Sequence, residues 1–330
     1  MKKGNHQHSR RSWIRYRRPL AQPLRNARHT WTHREGYLLR EISPKGEASY
    51  AEACPLPFFG LEEPPLEPFL EDWKRERSVD GPPSLRFALA CLQGLVSQGS
   101  GPVASSALLP AGEAALEELP GLLAKGFRTF KWKVGVLSAP QEQELLQRLM
   151  EMGSGDAVFR LDANGHWGLS GLKAWEGFLG RHPVEYVEEP GGIDTPDAKG
   201  GVAVDYPVPL ALDESLLGEK WKQWWNARWN GFWVIKPSLW GDPAEWWSTL
   251  GGEGVREKVI FSSALETVIG WGHIVTLAAR LNNGRAHGLG IGSFFSEQEP
   301  GAWSDKPEYH WNREWINPAR EIWEYYERCG

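Results

Sequence analysis

From residue 130 onward the chain repeats one unit: a short apolar stretch, then a helical stretch, recurring to residue 289. The strand-like stretches are 130–134, 157–161, 184–187, 209–212, 232–235, 259–261 and 286–289. Helical patterning predicts helices over 113–125, 141–152, 170–179, 216–225, 243–250 and 266–281. Such alternation predicts a parallel sheet with right-handed crossovers. A closed barrel and an open doubly wound sheet both satisfy it. No glycine-rich dinucleotide fingerprint follows any of these strands, which counts against the open sheet.

The strand ends carry charge. The first stretch contains Lys131-Trp132-Lys133. Residues two apart in a strand share a face, so both lysines project together and Trp132 points the other way. Two adjacent ammonium groups repel. A strand that turns both inward needs carboxylates nearby; otherwise it is an edge strand with a solvated lysine face. Leu161 is followed by Asp162-Ala163-Asn164, Val187 by Glu188-Glu189-Pro190, Leu212 by Asp213-Glu214-Ser215, and Ile235 by Lys236-Pro237-Ser238. In a parallel barrel these carboxyl ends converge on one face, where active sites form. Three converging carboxylates are costly unless a cation holds them, and hard oxygen ligands suit Mg2+. Singly, Asp162 reads as a turn residue, Glu188-Glu189 as a charged turn, Asp213 as a helix N-cap and Lys236 as a surface residue. Taken together, in this order, they point to one site.

Upstream, residues 1–9 are polar, contain His6 and His8, and read as a disordered tail. Alternation over 13–17 predicts a strand that ends at Arg18-Pro19. Residues 35–42 and 48–53 read as antiparallel strands joined by a Pro44-Lys45-Gly46 turn, and 66–73 and 85–98 as helices. The expected organisation is an α+β capping domain over 10–105, the barrel over 106–298, and a Trp- and Glu-rich segment, 299–330, returning to the cap.

Composition narrows the function class. With 41% hydrophobic and 24% charged residues, the 330-residue chain is ordinary globular material. A net charge of −5 and no basic stripe give no argument for nucleic acid. No apolar run reaches the roughly 18 residues of a membrane span, and no signal-type apolar region follows the start. Cys54, Cys91 and Cys329 lack metal spacing and suit a reducing cytoplasm. Eight tryptophans lie between Trp221 and Trp247, read as packing rather than as an aromatic groove. Oligomeric state is not legible.

The five charged positions resemble the enolase superfamily in its muconate-lactonising subgroup, with its Lys-x-Lys, Asp-x-Asn, Glu-x-Pro, Asp-Glu and later lysine. Arg160-Leu161-Asp162-Ala163-Asn164, Val234 to Leu239 and Phe261 to Glu266 most resemble the o-succinylbenzoate synthase family within it. The resemblance implies an α/β fold: a modified (β/α)7β TIM-type barrel with an α+β N-terminal capping domain. It implies Asp162, Glu188 and Asp213 as ligands of Mg2+, with Mn2+ as a substitute. Glu188 is preferred to Glu189 because the family's ligand lies two before the proline. It implies Lys133 as the base, eased toward its neutral form by Lys131, and Lys236 as the opposite cation. Asn164 would support the metal site. The implied substrate is a small carboxylate, 2-succinyl-6-hydroxy-2,4-cyclohexadiene-1-carboxylate, dehydrated to 2-succinylbenzoate in menaquinone or phylloquinone biosynthesis.

Ser262, Ser263 and Gly288 end strands and are candidate substrate contacts, with tight barrel packing as the alternative. Arg160 shares a face with Asp162 and reads either as an anion contact or as a structural salt bridge. The loops at 26–31 and 55–57 are expected to cover the site. An N-acylamino acid racemase or dipeptide epimerase would share the same lysines and carboxylates, and a cycloisomerase is a weaker rival. A barrel kept only for binding is the non-enzymatic alternative.

Overall fold

The computed structural model describes residues 9–25, 30–57, 61–94, 99, 101–192, 196–252, 254–295, 305–310 and 316–329. The chain begins with an antiparallel sheet of β1 (Arg10–Arg25), β2 (Thr30–Ile42) and β3 (Ala48–Ala53), in that order. β1 runs past the expected stop at Pro19. Its pairing with β2 is irregular between Pro19 and Leu24, which accommodates the missing amide N–H of proline without ending the strand. Helices α1 (Glu67–Lys74) and α2 (Pro83–Leu92) follow. α2 opens on Pro82 and Pro83 and stops at Leu92, short of the expected end, with a turn at 93–94; residues 95–98 lie outside the described residues.

After β4 (Pro102–Ala104) come β5 (Ala107–Leu109), α3 (Ala114–Ala124), β6 (Thr129–Lys133), α4 (Ala139–Met152), β7 (Val158–Asp162), α5 (Gly168–Leu179), β8 (Tyr186–Glu188) and α6 (Pro196–Asp205). β9 (Leu210–Leu212), α7 (Trp221–Asn226), β10 (Phe232–Ile235), α8 (Pro243–Leu250), β11 (Val259–Phe261) and α9 (Val268–Leu281) complete the repeats. β5 to β11 form a seven-stranded parallel sheet in sequence order. The expected strand at 286–289 is only a two-residue bridge. His287 pairs with Ser105 and Gly288 with Ser262, so these two residues close the circle between β11 and the start of β5. The closed ring is the expected barrel.

The helix expected over 216–225 is broken. Two 3-10 turns, Glu214–Leu216 and Gly218–Lys220, precede α7, and Gly218 sits at φ +59°, where a helix cannot continue. Six of the eight tryptophans in this region are buried, and Trp221 stacks on Trp240 at 5.1 Å. They pack the helical layer onto β10 and β11.

Charged side chains of the cap hold it to the barrel, Glu52 and Arg86 among them. The carboxylate of Glu52, buried on β3, accepts from Thr267 N, Thr267 Oγ1 and Gly270 N at the N-terminus of α9. There it meets both unpaired amides and the positive end of the helix dipole. Arg86 on α2 pairs with Glu219 at 3.0 Å and with Glu245 at 2.9 Å. β12 (Glu308–His310) pairs antiparallel with β4, and α10 (Ile316–Cys329) sets Ile322, Trp323 and Tyr326 against Tyr16, Leu38, Val268 and Ile269.

Candidate active site

Strand register builds the site in layers. Lys133 on β6 is level with Asp162 on β7, and Asp162 with Glu188 on β8. One layer lower, Lys131, Arg160 and Tyr186 are level. Trp132 points outward into the core beneath the helices, as the two-residue period requires. Asp213 and Lys236 follow β9 and β10 directly.

Lys131 reaches up between two carboxylates, 2.7 Å from Asp162 Oδ2 and 2.6 Å from Glu188 Oε1. Burial pulls its pKa down, but Asp162 and Glu188 outweigh that and hold it well above the usual lysine value. Lys236 is buried and ion-paired with Asp213. Lys133 differs from both. It is exposed within the mouth and makes no hydrogen bond or ion pair with any described residue.

Glu188 is fully buried, and burial first, then Asp162 and Asp213, push its carboxyl well up, against the pull of Lys131. Its Oε2 is buried and has no hydrogen-bond partner among the described residues. No three described acidic, histidine or cysteine side chains already stand as a ligand cluster, because the carboxylates turn onto the lysines. The donor set is nonetheless all carboxylate oxygen, with one buried oxygen uncommitted. That chemistry fits a hard divalent cation held by Asp162, Glu188 and Asp213.

A cavity of about 660 Å³ opens over these residues. Lys131, Lys133, Asp162, Asn164, Asp213 and Lys236 line it on the charged side, and Ser262, Ser263 and Gly288 on the other. A Cβ on Gly288 would come within 3.0 Å of Ser262 Oγ, so glycine there keeps the strand ends close. Asn164 acts on Asp162 through its backbone, N to Oδ1 at 3.1 Å. Leu56 from the 55–57 loop and Leu24 from the end of β1 line the cavity from the cap side. The other expected cover, at 26–31, lies at 26–29 outside the described residues.

Arg160 is a correction. It does not line the cavity; it is buried one layer below, donating to Glu185 at 2.6 Å and lying over the Tyr186 ring. Sharing a face with Asp162 put it inside the barrel, but two residues earlier means a layer deeper, where a guanidinium needs a buried carboxylate. The salt-bridge alternative holds. Glu214, to which the sequence motif assigns no role, lines the cavity. Burial first, then Asp213, raises its carboxyl to about 8. Its position in Asp213-Glu214 was the available signal.

Residues 114–248 match the family model described as enolase C-terminal domain-like. An o-succinylbenzoate synthase from Thermosynechococcus vestitus is 35% identical over 295 residues, 84% of this chain and 91% of the relative. A hydrophobic dipeptide epimerase from Roseobacter litoralis is 36% identical over only 101 residues, 30% of this chain and 29% of the relative. Among solved structures, o-succinylbenzoate synthase from Thermosynechococcus elongatus, complexed with Mg in its active site, superposes with a TM-score of 0.80 at 30% identity. That match covers 96% of this chain and 99% of the other.

Proposed function

The chain belongs to the o-succinylbenzoate synthase family of the enolase superfamily, and we propose that it performs that family's reaction with Lys133 as its proton-transfer group. The reaction dehydrates 2-succinyl-6-hydroxy-2,4-cyclohexadiene-1-carboxylate to 2-succinylbenzoate, a step of menaquinone or phylloquinone biosynthesis. The observation that carries the assignment of roles is the contrast between the lysines. Lys133 stands exposed in the mouth with no partner among the described residues, whereas Lys236 is buried in an ion pair. β6 and β10 are four strands apart in a ring of eight, so the two amines flank the cavity from opposite walls.

Lys133 takes the proton α to the substrate carboxylate. The electron pair left behind forms the double bond to the neighbouring ring carbon as that carbon's bond to its hydroxyl breaks. Lys133 returns its proton to that hydroxyl on the same face, water departs, and the ring becomes aromatic. Lys236 is a fixed positive charge facing the anion from the other wall. Asp162, Glu188 and Asp213 would hold Mg2+, or Mn2+ as a substitute, which supplies positive charge where the substrate carboxylate gains negative charge, the general arrangement of enolase-superfamily sites. Ser262, Ser263 and Gly288 border the space for the succinyl arm. The reading implies no nucleic-acid partner. No helix among the described residues is long and apolar enough to cross a membrane. The three cysteines are free thiols, which supports a cytoplasmic setting.

The test is ultraviolet absorbance of the protein with the cyclohexadiene substrate and Mg2+. Loss of the diene band, dependent on metal and on Lys133, is expected; an unchanged spectrum removes the assignment. The racemase or epimerase alternative predicts instead that deuterium from solvent enters an N-acylamino acid or dipeptide, with both Lys133 and Lys236 required.

A further inference from the structure

Glu188 and Glu189 are neighbours with opposite duties. Glu188 points into the barrel, while Glu189 sits at φ +41°, a left-handed conformation uncommon outside glycine, asparagine and aspartate. That backbone turn aims its side chain sideways at the end of β9. Its buried carboxylate accepts from Asp213 N at 2.9 Å, Ser215 N at 3.1 Å and Ser215 Oγ at 2.6 Å. Its own backbone is tied on both sides: Glu189 N donates to Ala211 O at 3.0 Å, and Glu189 O accepts from Gly165 N at 2.7 Å. The loops after β7 and β8 touch backbone to backbone just beyond. A Cβ on Gly191 would lie 2.1 Å from Gly165 O.

We propose that Glu189 is a positioning residue that ties the ends of β7, β8 and β9 together, so that Asp162, Glu188 and Asp213 are preset for one divalent ion. The role follows from where the bonds go. Each of the three strands carries one candidate ligand at its end or directly after it, and Glu189 bonds to the segment carrying each of the other two. Asp213 has an irregular backbone, φ −128° and ψ −81°, and the Glu189 carboxylate holds it from one side. A loosened Asp213 would have to be ordered by the metal itself, at the expense of affinity.

The inference rests on the metal site proposed above, and the experiment separates the two. Mg2+ binding is measured by calorimetry on the purified full chain and on Glu189→Leu, Glu189→Gln and Asp162→Asn. Leucine removes the acceptor; glutamine keeps one oxygen for the two backbone N–H groups. Glu189→Leu should bind Mg2+ on the order of 10–100-fold more weakly, with kcat recovering as Mg2+ is raised to saturation. Glu189→Gln should stay within about threefold of the parent, a rescue expected of shared hydrogen-bond geometry. Wild-type Mg2+ affinity in Glu189→Leu overturns the positioning role alone. Absence of Mg2+ binding in the parent, or full binding by Asp162→Asn, overturns the metal site and the inference with it. If Glu189→Leu does not fold, Glu189→Asp takes its place. The side chain shortened by one methylene withdraws its oxygens from Asp213 N and Ser215 N, and unchanged affinity there likewise overturns the role.

Discussion

At the scale of single residues, the two lysines that frame the cavity differ in what they contribute to stability. Lys133 holds no partner among the described residues, so Lys133→Ala should leave the melting temperature nearly unchanged. It should lower kcat by roughly 10²–10⁴-fold, the usual share of a positioned acid–base group. Lys236→Met should do the reverse in emphasis. Without metal, Asp213 would be left as a buried carboxylate with its ion-pair partner gone, and denaturant melts should show a loss of about 3–5 kcal/mol. Equal melting of the two variants would show that Lys236 is not the buried partner described. Much of this was legible, because the two-residue strand period fixes which side chains share a face. Period says nothing about depth or rotation at a strand end. That is why Arg160 reads equally as an anion contact, and why strand alternation separates Glu188 from Glu189 only weakly beside the resemblance, until the φ of Glu189 shows how the chain turns.

At the scale of elements, long repeats of apolar and helical patterning were readable and short pieces were not. β5 is three residues, Ala107–Leu109, too brief to carry a period. α6 hides behind Gly200-Gly201, which interrupts any helical pattern. Contacts between distant elements leave no local mark at all. Glu52 alternates normally within β3, yet its carboxylate receives three donors from the start of α9, more than 200 residues away. Glu52→Leu should therefore undock the cap from α9. The orphaned donors cost about 1–3 kcal/mol each, so a drop of several kcal/mol in unfolding free energy is expected from urea melts. A loss under about 1 kcal/mol would mean that water replaces the carboxylate and the junction is not held there. Because α9 begins just after Ser262 and Ser263, the same variant should also raise KM for the carboxylate substrate.

At the scale of the whole molecule, the ring closes through its least regular strand. His287 N donates to Ala104 O, His287 O accepts from Ser106 N, and its Nδ1 accepts from Phe261 N at 2.9 Å. One residue thus bridges the last and first strands. The ring nitrogen must stay unprotonated to accept that bond. Burial, and secondarily the nearby Arg160 guanidinium, lower its pKa from 6.5 to about 3. Between those values the unfolded chain binds a proton that the folded one does not, so stability rises with pH across the window. It is complete above about 6.5 and declines as the pH falls toward 3, by about 1.4 kcal/mol per pH unit from this residue. His287→Asn keeps an acceptor in nearly the same place but cannot titrate. Urea melts of parent and variant at pH 7 should therefore lie close together, and the parent should lose stability faster from pH 6 to 4.5. Parallel curves would mean that His287 is protonated in the closed barrel, and that the Phe261 amide is held by something else.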